Sequence, residues 1–180
     1  MRKELSLALL GGLILLQIAV PVQMIMQREM VLKQGTAFRF KTAPVDPYDA
    51  FRGRYVAIRV DAGKVIPPAG LTLKPGDKVF ALLTNDQNGF AQVSGVSRTR
   101  PAGGDYLEAT VRYSVGDTLL DLPIDRYYMT EKAAPRAEQI YREHSLRGKQ
   151  EAYVIVRIRN GFAVIEGLYI NGQRIEDLLR

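Results

Sequence analysis

The stretch AYVIVRIRNGFAVIEGLYI, residues 152–170, carries the strongest local folding signal in the chain. Apolar side chains alternate with other side chains on both sides of the dipeptide Asn160-Gly161. This alternation is typical of strands with one buried face. An Asn-Gly pair supplies two adjacent residues that tolerate positive φ, which the tightest hairpin turns require. The stretch therefore predicts an antiparallel hairpin within a β-rich domain.

Further extended segments precede this hairpin, separated by turn sequences such as Pro75-Gly76 and Asn88-Gly89. The predicted strands are TAFRFKTA (36–43), RYVAIRVD (54–61), the strand that follows the turn in KPGDKVFALLTN (74–85), AQVSGVSR (91–98), YLEATVRYS (106–114) and LLDLPI (119–124). Short strands at such spacing are typical of all-β sandwiches and barrels. With the hairpin, we expect about eight strands, a common number for small barrels.

One soluble helix is predicted to begin near Pro135, because a proline suits the first helical turn and apolar residues then recur at helical spacing. A second pair, Asn171-Gly172, is expected to end the last strand before the tail QRIEDLLR. The predicted fold class is mainly β with minor α content. It comprises an N-terminal transmembrane helix followed by a small β-barrel or sandwich domain with one soluble helix.

The N-terminal segment differs sharply in composition, since residues 5–26 contain no charged side chain. As a helix, 22 residues extend ~33 Å, which matches the hydrocarbon core of a bilayer. A cleaved signal peptide is the alternative, but the apolar run is longer than usual and lacks a small-residue cleavage site. We therefore expect an uncleaved signal anchor whose helix ends at Gly35. This gives an anchor at residues 1–34 and a β-rich domain at residues 35–180.

Charge and composition restrict the classes of partner. The formal net charge is +6, and the basic residues are scattered rather than gathered in a stripe, so we expect a lipid bilayer as partner and no nucleic acid. The chain has no cysteine, which excludes disulfides and thiol chemistry. Basic residues flank both ends of the apolar segment, and the positive-inside rule decides little. The short N-terminal tail favours a cytoplasmic N-terminus, with the domain outside the cytoplasm.

The stretch KTAPVDPYDAFRGRYVAIRV, residues 41–60, resembles the signature region of the bacterial GDYXXLXY family, membrane-anchored proteins of uncharacterised biochemical function. The aligned positions are Gly53 and Tyr55, which match, Ile58 in place of Leu, Val60 in place of the last Tyr, and Arg54 in place of Asp. The segments DRYYMTE (125–131) and GLYINGQ (167–173) also resemble the family.

The resemblance implies one N-terminal membrane helix and a β-rich extracytoplasmic domain. We expect this helix to cross the bacterial inner membrane once, with the domain on the periplasmic side. Members of the family are often encoded beside multi-spanning membrane proteins, so the resemblance also indicates such a protein as a partner. The resemblance does not indicate an enzymatic activity.

Few residues suit catalysis. Asp46 and Asp49 are the candidate catalytic pair, since two carboxylates can divide acid and base roles. Turn and capping roles explain both without any further partner, and we favour those. The only histidine, His144, is better explained by its place in the last turn of a helix than by a dyad with Ser145. We expect no cofactor and no metal site.

The signature stretch is better explained as a binding surface. An arginine at the family's aspartate position is incompatible with acid–base chemistry there, because guanidinium does not deprotonate. Arginine and tyrosine are enriched in the cores of protein interfaces. The candidate partner-binding residues are Tyr48, Arg52, Arg54, Tyr55 and Arg59. We expect an accessory protein that docks a multi-spanning membrane or envelope partner; the alternatives are an envelope hydrolase that uses the aspartate pair and a small-ligand sensor domain.

Overall fold

A computed structural model describes residues 2–43, 55–60, 62–115, 117–145 and 152–179. These residues form a mainly β structure with two α-helices, α1 (Arg2–Gln34) and α2 (Ala134–Ser145), and a final 3-10 helix at Asp177–Leu179. The strands are β1 (Thr36–Ala43), β2 (Tyr55–Ala57), β3 (Arg59–Val60), β4 (Lys64–Val65), β5 (Lys78–Asn85), β6 (Ala91–Ser97), β7 (Tyr106–Val115), β8 (Asp117–Asp121), β9 (Arg126–Tyr128), β10 (Ala152–Arg159), β11 (Phe162–Ile170) and β12 (Gln173–Arg174).

The strands form a nearly closed barrel. One sheet has the order β12-β11-β10-β1-β3, the second has the order β4-β8-β7-β5-β6, and β2 pairs with β9 in a two-stranded ribbon. Two isolated bridges, Arg39 with Phe90 and Leu107 with Gly161, join the large sheets. The predicted fold class, a mainly β domain of barrel type after an N-terminal apolar helix, is confirmed.

The inward faces of the strands supply a packed core. Phe40, Leu107, Val154 and Leu168 are fully buried and come from both large sheets. The buried residues of β10 alternate with half-buried ones, as the period of two predicts. The core continues through α2, where Tyr141 is 3% exposed.

Both Asn-Gly pairs form tight turns. Asn160 and Gly161 have φ values of 53° and 83°, and the antiparallel pairing of β10 with β11 confirms the predicted hairpin. The expectation for the second pair is incomplete. Asn171 and Gly172, at 51° and 80°, do not simply release a tail but fold it back as β12. The tail then buries Ile175 completely. Transfer of this apolar side chain from water to the barrel surface lowers the free energy of the folded state.

The long helix α1 exposes its apolar side chains over most of its length. Within Leu9–Gln34, the most apolar 18 residues have a mean hydropathy of 2.1 and none of them is buried, so this helix is long and apolar enough to span a membrane. It ends where predicted, before Gly35, whose N–H donates to the carbonyl of Val31 at 2.8 Å. A Cβ at Gly35 would lie 2.5 Å from that carbonyl oxygen and 3.1 Å from the backbone of Ile158. Glycine therefore lets the helix end approach β10 closely.

The segment predicted as one strand at residues 54–61 is divided between two pairings, which corrects the prediction. Residues Tyr55–Ala57 pair with β9, whereas Arg59–Val60 pair with β1. Between them the N–H of Ile58 donates to the carbonyl of Asp125 at 2.8 Å. The alternating pattern survives the switch, because Val56 and Ile58 are both buried. Periodicity shows which side chains face inward but does not show which strand is the neighbour.

Candidate interaction surface

The structure describes two of the five predicted partner-binding residues, Tyr55 and Arg59. The other three, Tyr48, Arg52 and Arg54, lie outside the described residues. The same holds for the candidate catalytic pair, Asp46 and Asp49. The described part of the predicted surface therefore lies on β2 and β3.

The β2–β9 ribbon presents one face to the core and the other to solvent. Val56 stands opposite Tyr127, and both side chains are buried. Tyr55 stands opposite Tyr128, and Ala57 stands opposite Arg126, on the outer face. Because side chains alternate across a strand, burial of the Val56 pair fixes the outward direction of its neighbours.

Three outward side chains of the ribbon form a cluster, which we call the Arg/Tyr cluster: Tyr55, Arg126 and Tyr128. The two tyrosine rings lie 5.6 Å apart between centroids at an angle of 58°. The Arg126 guanidinium lies 5.3 Å from the centre of the Tyr55 ring, in cation–π geometry. A hydrogen bond to Tyr128, and then the charge of Asp125, raise the pKa of Arg126 above its ordinary value.

The Arg/Tyr cluster is exposed but ordered by its own contacts. Tyr128 is 63% exposed, an unusual state for a large aromatic side chain. Arg126 also lies 3.1 Å from the carboxylate of Asp125. Because the two rings and the guanidinium already hold one another in place, their side chains lose little further conformational entropy when a partner covers them.

Beneath the cluster, Tyr127 ties the ribbon to the C-terminal tail. Its hydroxyl donates a short hydrogen bond to the carboxylate of Glu176. Burial, and next this hydrogen bond, raise the pKa of Tyr127 to about 12. The other carboxylate oxygen of Glu176 is buried and lies 3.1 Å from Nε of Arg174, a charge contact without hydrogen-bond geometry. The ribbon is thus fastened on its inner face, and its outer face carries the exposed Arg/Tyr cluster.

Comparison with protein-family models finds a match to the GDYXXLXY protein family over residues 17–168. The match covers most of the chain. The chain belongs to the GDYXXLXY family. No curated protein and no solved structure matches it.

In this member of the GDYXXLXY family, the signature residues divide between packing and surface. Ile58, at the leucine position, is 5% exposed and packs in the core. Tyr55, at the first tyrosine position, lies on the outer face with its ring against Arg126. The leucine position therefore supports the fold, whereas the tyrosine position contributes to the surface.

Arg126 and Tyr128 were not predicted as site residues, although DRYYMTE resembled the family. A usable signal was present, since the signature stretch (41–60) and DRYYMTE (125–131) both combine arginine with tyrosine. Sequence order could not show that residues 55–57 and 126–128 pair in one ribbon. Their juxtaposition depends on the closure of the barrel.

Arg59 lies beside the cluster rather than within it. It is exposed on β3 and lines, together with Arg126, a cleft of about 340 Å³ at the switch between β2 and β3. Its backbone hydrogen-bonds to Tyr141 of α2, so α2 holds this end of the strand. Arg59 thus extends the same face by a second cation.

A larger groove of about 860 Å³ opens on the outer face of β5 and β7. Phe80 and Phe162 supply apolar lining, and the Arg112–Asp121 ion pair lies at its side. Among the described residues, no three carboxylate or histidine side chains gather where they would hold a metal ion.

His144 lies in the last turn of α2, and its Nδ1 is 2.9 Å from the carbonyl oxygen of Ile140. The imidazole is thus bonded to its own helix, at the negative end of the dipole. The predicted structural role for His144 agrees with this contact.

Proposed function

We propose that this protein is a membrane-anchored accessory protein whose β domain docks a multi-spanning membrane or envelope partner through the Arg/Tyr cluster. The observation that supports this most directly is the exposed contact between Tyr55, Arg126 and Tyr128 on the β2–β9 ribbon. Tyrosine and arginine are the residue types most enriched at binding hot spots, where a partner's coverage removes water from them.

The proposed membrane anchor makes a small surface sufficient. Three outward side chains on two three-residue strands cannot bury the ~800 Å² per partner of a standard interface alone. A chain held in the same bilayer as its partner has already lost most of its translational freedom, so a weaker contact gives the same occupancy. A modest, exposed cluster suits a partner within the same membrane better than a soluble one.

The proposed location is the bacterial inner membrane, crossed once, with the β domain on the periplasmic side. The apolar helix α1 supports a single crossing of a membrane. Cysteine labelling tests the side: the chain has none of its own, so Ser94→Cys introduces a single thiol. An impermeant maleimide should modify it in intact cells whose outer membrane has been opened. Labelling only after lysis contradicts the proposed side.

The docking test compares two matched double variants of the full-length chain. Arg126→Glu with Tyr128→Ala alters the cluster. Arg112→Glu with Tyr113→Ala alters an adjacent arginine and tyrosine of β7 that are also exposed, with Arg112 paired to Asp121. Each protein is purified from native membranes in mild detergent, and its companions are measured by mass spectrometry.

We expect a stoichiometric multi-spanning protein with the wild type and the control, and its loss from the cluster variant at an unchanged melting temperature. Wild-type protein that purifies alone contradicts docking. If the control variant alone loses the partner, the binding surface is instead the groove beside Arg112.

The groove supports a second candidate, the small-ligand sensor. Its volume of about 860 Å³ is in the range of known ligand sites, and its lining mixes aromatic, cationic and acidic groups. A metabolite that purifies with the wild type and is lost from Phe162→Ala supports this candidate; an extract free of such a compound argues against it. For the hydrolase alternative, Asp46→Asn with Asp49→Asn should leave any envelope activity unchanged if both residues only shape a turn.

A further inference from the structure

A third cavity lies where α1 meets the barrel. The last turns of α1 pack on the β10–β11 hairpin, and Val31 is 4% exposed there. Beside this contact is a cavity of about 450 Å³, bounded by Gln27 and Met30 of α1 and by Arg100, Arg159 and Phe162 of the barrel. The Arg159 guanidinium reaches the sulfur of Met30 at 3.9 Å, so this arginine closes over the helix.

If α1 is inserted in a membrane, as proposed above, the position of the cavity along α1 gives its depth relative to the bilayer. The uncharged segment ends at Met26, and the cavity wall on α1 runs from Gln27 to Val31. At 1.5 Å per residue, Val31 is about 7.5 Å beyond Met26. The polar headgroup layer is ~5–7 Å thick on each side of the hydrocarbon core. The cavity is therefore at the level of the lipid headgroups.

Arg100 is held in place within this cavity. Its Nε donates to the Tyr106 hydroxyl at 2.6 Å, and its Nη2 donates to the Asn160 carbonyl at 2.9 Å. Its guanidinium also lies 5.8 Å from the centre of the Tyr106 ring. A guanidinium fixed at two of its nitrogens presents its remaining N–H groups in a constant direction, which favours a planar, forked contact with phosphate oxygens.

Charge and polarity at the cavity match one class of ligand. The two arginines outnumber the one lining carboxylate, Glu108. The Arg159 guanidinium contacts the sulfur of Met30. Met30 and Phe162 add an apolar wall toward the helix. A phosphate group attached to a hydrocarbon chain satisfies both parts of this lining.

We propose that this cavity binds the phosphate of an anionic membrane phospholipid, with Arg100 and Arg159 as its ligands. The bound headgroup joins the helix to the barrel and sets the height of the β domain above the membrane. The inference rests on the proposed insertion of α1, but it is independent of the Arg/Tyr cluster and its partner.

The test counts lipids on the full-length protein by native mass spectrometry. Delipidated protein in neutral detergent is titrated with phosphatidylglycerol and, separately, with phosphatidylcholine of the same acyl chains. The variant is Arg159→Gln. The control is Arg112→Gln, which removes an exposed arginine outside this cavity. Arg159→Lys keeps the charge without the forked geometry and serves if the glutamine variant fails to fold.

We expect the wild type and the control to prefer phosphatidylglycerol, and Arg159→Gln to lose about fivefold in that preference, the effect typical of one arginine at an anionic surface. Arg159→Lys should keep part of it. Equal binding of both lipids by the wild type overturns the inference, as does full preference in Arg159→Gln. Displacement of the lipid by millimolar inorganic phosphate also overturns it, because the site then binds soluble phosphate.

Failure of the two proposals can be distinguished. If alkaline carbonate strips the wild type from native membranes, the insertion of α1 is wrong and both proposals fail. If the protein stays inserted and retains its partner but shows no lipid preference, only the lipid site is wrong.

Discussion

The β10–β11 hairpin and the β2–β9 ribbon are built on the same principle and differ in what holds them. Each places two tyrosines directly opposite one another: Tyr153 with Tyr169 in the hairpin, and Tyr55 with Tyr128 in the ribbon. The hairpin rings stack at 5.3 Å and 7°, whereas the ribbon rings are tilted at 58°. The hairpin tyrosines pack face to face, whereas the ribbon tyrosines are tilted and Tyr128 is exposed to solvent. We therefore describe the hairpin as the scaffold and the ribbon as the candidate surface.

Chain connection explains this difference. A two-residue turn joins the eight and nine residues of the hairpin strands, so their register is set locally. The ribbon strands have three residues each, and their pairing closes a loop of about seventy residues. Short strands that depend on distant closure gain little stability of their own. Four changes test this comparison.

The largest effect is expected at the hairpin turn, in Gly161→Ala. Gly161 has φ of 83°, and a Cβ there would lie 2.8 Å from the Tyr106 ring. The free energy of unfolding should fall by about 2–4 kcal/mol, from the left-handed backbone and the overpacked ring together. Urea denaturation in detergent measures it.

Gly172→Ala is the control for that change. Gly172 also has a positive φ, of 80°, but has open space around its Cβ position. It should lose only about 1–2 kcal/mol, from the backbone alone. Equal losses in the two variants would show that the ring contact contributes nothing.

The next effect is expected at the inner face of the ribbon, in Tyr127→Phe. Removing the hydroxyl leaves a carboxylate oxygen of Glu176 without its donor. A lost hydrogen bond to a charged group costs about 1.5–3 kcal/mol. Thermal unfolding measures this, and Tyr153→Phe, on the outer face of the hairpin, should change little. An unaltered melting temperature in Tyr127→Phe contradicts the role of the tail as a fastening.

The raised pKa of Tyr127 leads us to expect a loss of stability at alkaline pH. Burial raises its pKa to about 12 in the folded protein, whereas the ordinary pKa of tyrosine, which applies in the unfolded chain, is 10.0. Because the folded state holds the proton more tightly, this contribution is fully present below pH 10 and is lost as the pH rises through 12. Unfolding free energies measured from pH 9 to 12 should fall less steeply in Tyr127→Phe than in the wild type. Parallel curves exclude this linkage.

A smaller difference is expected between the two tyrosine pairs. Double-mutant cycles with leucine measure the coupling of each pair. Stacked or edge-to-face rings contribute about 0.5–1.5 kcal/mol beyond the area that they bury. Tyr153 with Tyr169 should fall within that range, because Phe90 also packs against Tyr153 at 6.0 Å. Tyr55 with Tyr128 should couple more weakly. Equal couplings contradict the distinction between scaffold and surface.

The smallest effect on stability is expected for Arg126→Gln. Its ion pair with Asp125 is exposed, and such pairs contribute about 0–1 kcal/mol. The melting temperature should stay nearly constant while partner retention falls. A large loss of stability means that Arg126 supports the fold instead of a partner.

Local patterns in the amino-acid sequence were enough to predict the local features of the fold. Side-chain alternation and the Asn160-Gly161 turn determined the hairpin, composition determined the long apolar helix, and the signature stretch indicated the family. These depend on neighbours in the chain, so local patterns suffice.

Three features depend on contacts between distant parts of the chain. They are the switch at Ile58, the return of the tail as β12, and the contact of Tyr55 with Arg126 and Tyr128. Periodicity assigns each side chain to a face, but the strand beside it is chosen by closure of the whole barrel. The candidate surface exists only after that closure.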